Sequence, residues 1–196
     1  MELKDGMKTF YAVNRKTWRN WLAKNSDKEK SVWLIIYKND ATKKSVTYIE
    51  AVEEALCFGW IDSKANKKDE ESFYLFFAKR NPASNWSKIN KERVIKLIDR
   101  GLMNSKGMEI IEMAKMNGSW TALDKIESLE LPMDLKKALK QNPEVAKHFD
   151  VFPRSVKKGI LEWIQNAKKK ETREKRIGKT ISLAAQNIRA NQYKKL

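Results

Sequence analysis

A chain of 196 residues, 41% hydrophobic and 34% charged with seven Trp, is long enough to bury a core as one generous domain or two small ones and too apolar to remain disordered. No apolar stretch approaches the ~20 residues of a membrane-spanning helix, and Met1 to Asn14 lacks a secretory leader pattern, so a cytoplasmic protein is expected. A single cysteine, Cys57, excludes an internal disulfide, and with a single histidine, His148, no thiolate and imidazole zinc site can be assembled; no metal or cofactor is expected. The net charge of +16 is uneven: residues 154–196 hold thirteen Lys/Arg against three acids, whereas residues 50–71 hold seven acids against three lysines.

In chain order, Phe10-Tyr11-Ala12-Val13 reads as extended, and Asn14 caps a helix to about Asn25 with Trp18, Trp21 and Leu22 on one face. Val32-Trp33-Leu34-Ile35-Ile36-Tyr37 is apolar at both parities, which predicts a central strand buried on both sides. Thr47 and Glu50 have capping-box spacing, Ile49, Val52 and Leu56 follow at helical period, and Gly59 ends that helix. Trp60 to Asn66 and Phe73 to Phe77 predict an antiparallel hairpin around the polar turn Lys67 to Glu71. After the loop Asn81 to Asn85, Ser87 caps a helix carrying Ile89, Val94, Leu97 and Ile98 to Gly101, and a further helix runs from about Ser105 to Asn117. Beyond Trp120 the strand patterns stop. Pro132 and Pro143 each open a short helix, and Ile160, Trp163, Ile164 and Ala167, then Ile177, Ile181, Ala184 and Ile188, fit one buried stripe along two consecutive helices. The predicted fold is α+β, with an antiparallel sheet flanked by helices over residues 1–125 and an all-helical basic unit over 126–196.

Three blocks carry a family resemblance: Glu54-Ala55-Leu56-Cys57-Phe58-Gly59-Trp60-Ile61-Asp62-Ser63, then Ser84-Asn85-Trp86-Ser87-Lys88-Ile89-Asn90, then Trp163 to Lys168 with Glu171 to Ile177. In order and spacing, across nearly the whole chain, they resemble the bacterial YdeI/OmpD-associated family of bacteriocin-protection (OmdA-like) proteins. The last block is also similar to the helical tail of YdhG-like and frataxin-like iron-chaperone proteins. The resemblance implies a cytosolic bacterial protein of resistance to bacteriocins or cationic antimicrobial peptides, with a porin or other membrane-associated partner. It implies no established catalytic mechanism, and a non-enzymatic role is the expectation. One departure is local: an aromatic-x-Pro-Arg element of the family is replaced by Phe77-Ala78-Lys79-Arg80, which keeps the basic residue and loses the ring that fixes φ before it.

Trp60, Asp62, Ser63, Arg80, Trp86 and Asn90 form a candidate small-ligand cleft, in which the indoles stack on a planar or cationic group, Asp62 accepts from a donor and Arg80 clamps an anion. The competing reading makes Trp60 and Trp86 core residues and Asp62-Arg80 an internal ion pair. No catalytic residue is assigned: Cys57 reads as core filler without a base, and His148 as a helix-end or surface histidine. Glu50, Glu53 and Glu54 suit either an exposed helical first turn or, by analogy with the frataxin-like proteins, a metal. Lys168, Lys169, Lys170, Arg173, Arg176 and Lys179 form a candidate surface for an anionic partner, nucleic acid, or a membrane or protein contact, or else a solvated face with a Glu171-Lys175 helical pair.

Overall fold

Five strands and nine helices form among residues 2–191, which the computed structural model describes. The chain divides into two compact units, one up to Thr121 and one from Ala122. The first contains β1 (Leu3–Lys4), β2 (Met7–Tyr11), α1 (Arg15–Asn25), β3 (Ser31–Tyr37), α2 (Tyr48–Cys57), β4 (Trp60–Lys67), β5 (Ser72–Lys79), α3 (Lys88–Asp99) and α4 (Ser105–Met116). The second contains α5 (Asp124–Glu127), α6 (Met133–Lys140), α7 (Pro143–Asp150), α8 (Arg154–Gln165) and α9 (Lys170–Ala185).

The sheet runs β1-β2-β3-β5-β4, so the apolar β3 lies at its centre with five of its seven residues buried. Three of the four strand pairs are antiparallel, but β2 and β3 are parallel. The exception follows from α1, which carries the chain back between them; a parallel neighbour requires such a crossover. Asn14 caps α1 by accepting from the Thr17 amide. Thr47 and Glu50 close the capping box on α2. Strand alternation then sorts the side chains: Val32, Leu34, Ile36, Leu75 and Phe77 face a core shared with Trp18, Leu22, Val52, Leu56, Val94 and Ile111 of the helices. Trp33, Ile35 and Tyr74 form a separate cluster on the other face.

Several apolar positions assigned to helix stripes face outward. Ile49 is exposed because the buried run of α2 begins only at Ala51. Of the α3 stripe only Val94 and Leu97 are buried, while Ile89 and Ile98 are exposed, so the contact face is narrower than the pattern suggests. In the second unit Ile160, Ile164, Ile177 and Ala184 join Leu135, Phe149 and Val156 in one core. Ile188 is exposed, since α9 ends at Ala185 before reaching it.

Candidate functional site

The junction between α2 and the β4–β5 hairpin is built on two glycines. Gly59 leaves the helix at φ +71°, the left-handed value glycine adopts without a Cβ penalty, and its amide donates to the Leu56 carbonyl. A Cβ there would also lie 3.1 Å from the Ile110 side chain and 3.2 Å from the Lys106 carbonyl oxygen. Gly107 allows α4 to cross against the end of α2: a Cβ on it would stand 2.3 Å from the Cys57 carbonyl oxygen. That oxygen accepts the Asn104 amide at 3.0 Å. The chain then enters β4 at Trp60, which pairs with Lys79, and the Arg80 amide donates back to the Gly59 carbonyl at 2.9 Å.

These contacts enclose a concavity of about 230 Å³ lined by Gly59, Trp60, Lys79 and Arg80 from the hairpin base, Ser26 and Asp27 beyond α1, Phe58, and Lys106, Glu109 and Ile110 of α4. Arg80 is the anomalous member. Its side chain is 95% withdrawn from solvent, yet among the described residues it forms no ion pair. One terminal nitrogen donates to the Asn85 carbonyl at 2.6 Å, and the guanidinium carbon sits 3.9 Å from the centre of the Trp86 ring. Its Nε–H has no partner, and neither has the buried Nε1–H of Trp86 beneath it. Burial pushes the Arg80 guanidinium down to about 10, and the charge of Asp62 offsets only part of that. It stays cationic at neutral pH. An unpaired buried donor costs roughly 1–3 kcal/mol, and more when charged, which cation–π contact with Trp86 offsets by about 2 kcal/mol. Arg80 lines the concavity, whereas Trp86 packs behind it and is not part of the lining.

The other predicted residues are distributed around this point. Trp60 lies 1% exposed in the wall, its ring edge-on to Trp21 at 6.0 Å. Trp86 backs Arg80 and packs on Trp120 at 5.0 Å. Asp62 accepts from the Tyr48 hydroxyl at 3.0 Å, Ser63 is exposed where the ladder shifts register between Asp62 and Ala65, and the Asn90 side chain accepts from Arg93 at 2.9 Å. None of these three lines the concavity. The Lys79 amide donates to the Lys30 carbonyl at 3.2 Å, a bond that a proline at this position would have no hydrogen to make.

Cys57 is buried, and burial, followed by the charge of Glu54, raises its thiol to about 11. Glu54 is itself buried and bonded at 2.6 Å by both Arg15 and Arg19, while Glu53 pairs with Arg15 at 2.8 Å. The acidic turn is therefore a clamp between α1 and α2, and Glu50 serves the capping box. Among the described residues no group of three His, Cys, Asp or Glu is placed to hold a metal. His148 sits in the last turn of α7, part-buried against the Ala184 carbonyl at 2.9 Å.

In the basic tail, Arg173 grips Asp134 with two bonds of 2.6 and 3.0 Å, and Arg176 bonds the Trp163 carbonyl and stacks on its ring at 5.2 Å. The helical pair is Lys170–Glu174 at 3.9 Å rather than Glu171–Lys175. Lys168, Lys169 and Lys179 are exposed. Larger concavities of about 460 and 450 Å³ lie beside Asp134 in this unit. However, the buried unpaired donors among the described residues, Arg15 Nη2, Trp33 Nε1, Arg80 Nε and Trp86 Nε1, all belong to the first unit.

Sequence reasoning missed Lys106, Glu109, Asp27 and Gly107. Only Gly107 left a signal, because glycine inside a helical pattern is costly and marks a close approach.

Comparison with known proteins gives two matches along the chain. Residues 10–110, which include every residue of the Arg80 concavity, match the family described as Domain of unknown function (DUF8412). Residues 128–187 match the family described as Bacteriocin-protection, YdeI or OmpD-Associated. Among curated proteins and solved structures, none matches.

Proposed function

The chain belongs to the family of the domain of unknown function DUF8412, which covers more than half of it, and on that premise we propose a non-enzymatic protective binding protein that holds a small anion on Arg80. The observation that carries this reading is a buried arginine with an unpartnered Nε–H at a concavity of about 230 Å³. Lys79 and Lys106 of the lining are balanced by Asp27 and Glu109, with Lys106 and Glu109 paired at 3.4 Å, which leaves Arg80 as its net positive charge. That volume suits a compact carboxylate or phosphate, since larger cofactors require roughly 300 Å³ or more. Binding is favoured over catalysis because the thiol of Cys57, at the end of α2, is held at about 11, and residues 1–121 contain no histidine to activate it or the Ser26 hydroxyl of the lining.

The match at residues 128–187, to a family described as Bacteriocin-protection, YdeI or OmpD-Associated, supports the protective part of this reading, and with it we propose a cytoplasmic location and a membrane-associated or porin partner. The exposed Lys168, Lys169 and Lys179 offer that partner a cationic contact. No helix among the described residues is long and apolar enough to cross a membrane.

Thermal unfolding tests the anion site. Phosphate or a small dicarboxylate is expected to raise the Tm of the wild type but not of Arg80→Met, which keeps the apolar stem and loses the donors. An equal rise in both proteins contradicts the reading. In cells, loss of the protein is expected to increase sensitivity to a cationic antimicrobial peptide, with wild type restoring resistance.

A further inference from the structure

The sheet has a second face, independent of the Arg80 concavity. Every residue of the cluster there, centred on Trp33, comes from a strand, so no helix contributes to its packing. Its half-buried rings are covered by lysines. Lys43 Nζ lies 4.2 Å from the centre of the Tyr11 ring and 5.3 Å from that of Tyr37, and Lys64 Nζ lies 5.1 Å from that of Trp33 and 5.7 Å from that of Phe76. The rings themselves meet in edge-on pairs, Tyr11–Tyr37 at 5.7 Å and Trp33–Phe76 at 5.0 Å. Among the described residues neither Lys43 nor Lys64 forms an ion pair, although both are exposed. Trp33, fully buried, has an Nε1–H without a partner.

We propose that this face binds single-stranded nucleic acid, with Tyr37 and Phe76 as stacking platforms and Lys43 and Lys64 moving from the rings onto phosphates. Trp33 and Tyr37 are four residues apart on β3, so the two ring-and-lysine stations stand about 13 Å from each other along the strand. A single strand repeats an unpaired planar base and a negative charge along its length, which matches both stations. A duplex hides its base faces, and an acidic peptide supplies the charge without a planar group at each station. The unit that carries this face, residues 1–121, holds 23 Lys/Arg against 16 acids, a net positive charge that favours a polyanion.

Fluorescence anisotropy of a labelled oligouridine of about twelve nucleotides, with the full chain, tests the assignment. Two lysine–phosphate contacts predict about a sevenfold loss of affinity between roughly 50 and 200 mM salt. The charge reversal K43E/K64E, at exposed positions, is expected to weaken binding by at least about tenfold. Tyr37→Leu is expected to weaken binding while leaving the salt slope unchanged, and K168E/K169E in the second unit to leave binding intact. Absence of saturable binding at low salt overturns the proposal. So does binding abolished by K168E/K169E but indifferent to K43E/K64E, or equal competition by an acidic peptide rich in Phe.

Discussion

Gly107 shows how a single missing side chain positions the junction. The atom that an added Cβ would strike is the backbone oxygen of Cys57 at 2.3 Å, with the Cys57 carbonyl carbon at 2.8 Å, so nothing flexible can yield and α4 must move off the end of α2. Gly107→Ala is expected to cost about 3 kcal/mol in urea denaturation. Gly178, inside α9 with open space around it, is the opposite case: Gly178→Ala is expected to gain about 0.5–1 kcal/mol from helix propensity alone. Equal effects of the two substitutions would contradict the packing described here. At this scale the sequence was partly legible. Trp60 and Arg80, two of the residues singled out, line one concavity, because the hairpin register sets Trp60 opposite Lys79, while Trp86 meets Arg80 from outside that lining. Lys106, Glu109 and Asp27 were not singled out, because they arrive from α4 and from the loop after α1, whose approach depends on tertiary packing.

At the scale of elements, the hairpin that carries Arg80 depends on its turn. Asp69 accepts from the Ser72 hydroxyl at 2.8 Å and from the amides of Ser72 and Glu71 at 2.7 and 3.0 Å. The Ser72 hydroxyl foremost, then Lys68 and these amides, hold its carboxyl at about 2, below the ordinary 3.8. A carboxylate depressed in the folded state contributes fully above its ordinary value and loses that contribution as pH falls toward the folded one. Wild type is therefore expected to be more stable than Asp69→Asn at neutral pH, and the difference in urea midpoint to close between about pH 4 and pH 2. A difference that persists unchanged to pH 2 contradicts the assigned hydrogen bonds. Helix starts were legible from Asn14, Thr47 and Ser87, whose side chains all cap as their spacing implies. The parallel β2–β3 pair was not, because strand residues alone do not encode the direction of their neighbour.

For the whole molecule, the two units have separate cores, one built on the sheet and helices around Trp18, Trp60 and Phe77, the other on α5 to α9 around Phe149 and Ile160. Residues 10–110 and 128–187 match two different families along the same division. In the sequence the strand patterning stops after Trp120, where the expectation divided the chain into residues 1–125 and 126–196. The count of basic residues did not reveal which cations are free: Arg173 and Arg176 are held by Asp134 and Trp163, whereas Arg80, in the less basic part of the chain, is buried without an ion pair among the described residues. The central claim, an anion received by Arg80 above Trp86, is tested most directly by nitrogen-15 NMR of the two orphaned N–H groups, assigned through Arg80→Lys and Trp86→Phe. Titration with inorganic phosphate or a small dicarboxylate is predicted to shift the Arg80 Nε–H and Trp86 Nε1–H resonances together along one saturable curve. Resonances that stay fixed while others in the first unit respond would contradict it.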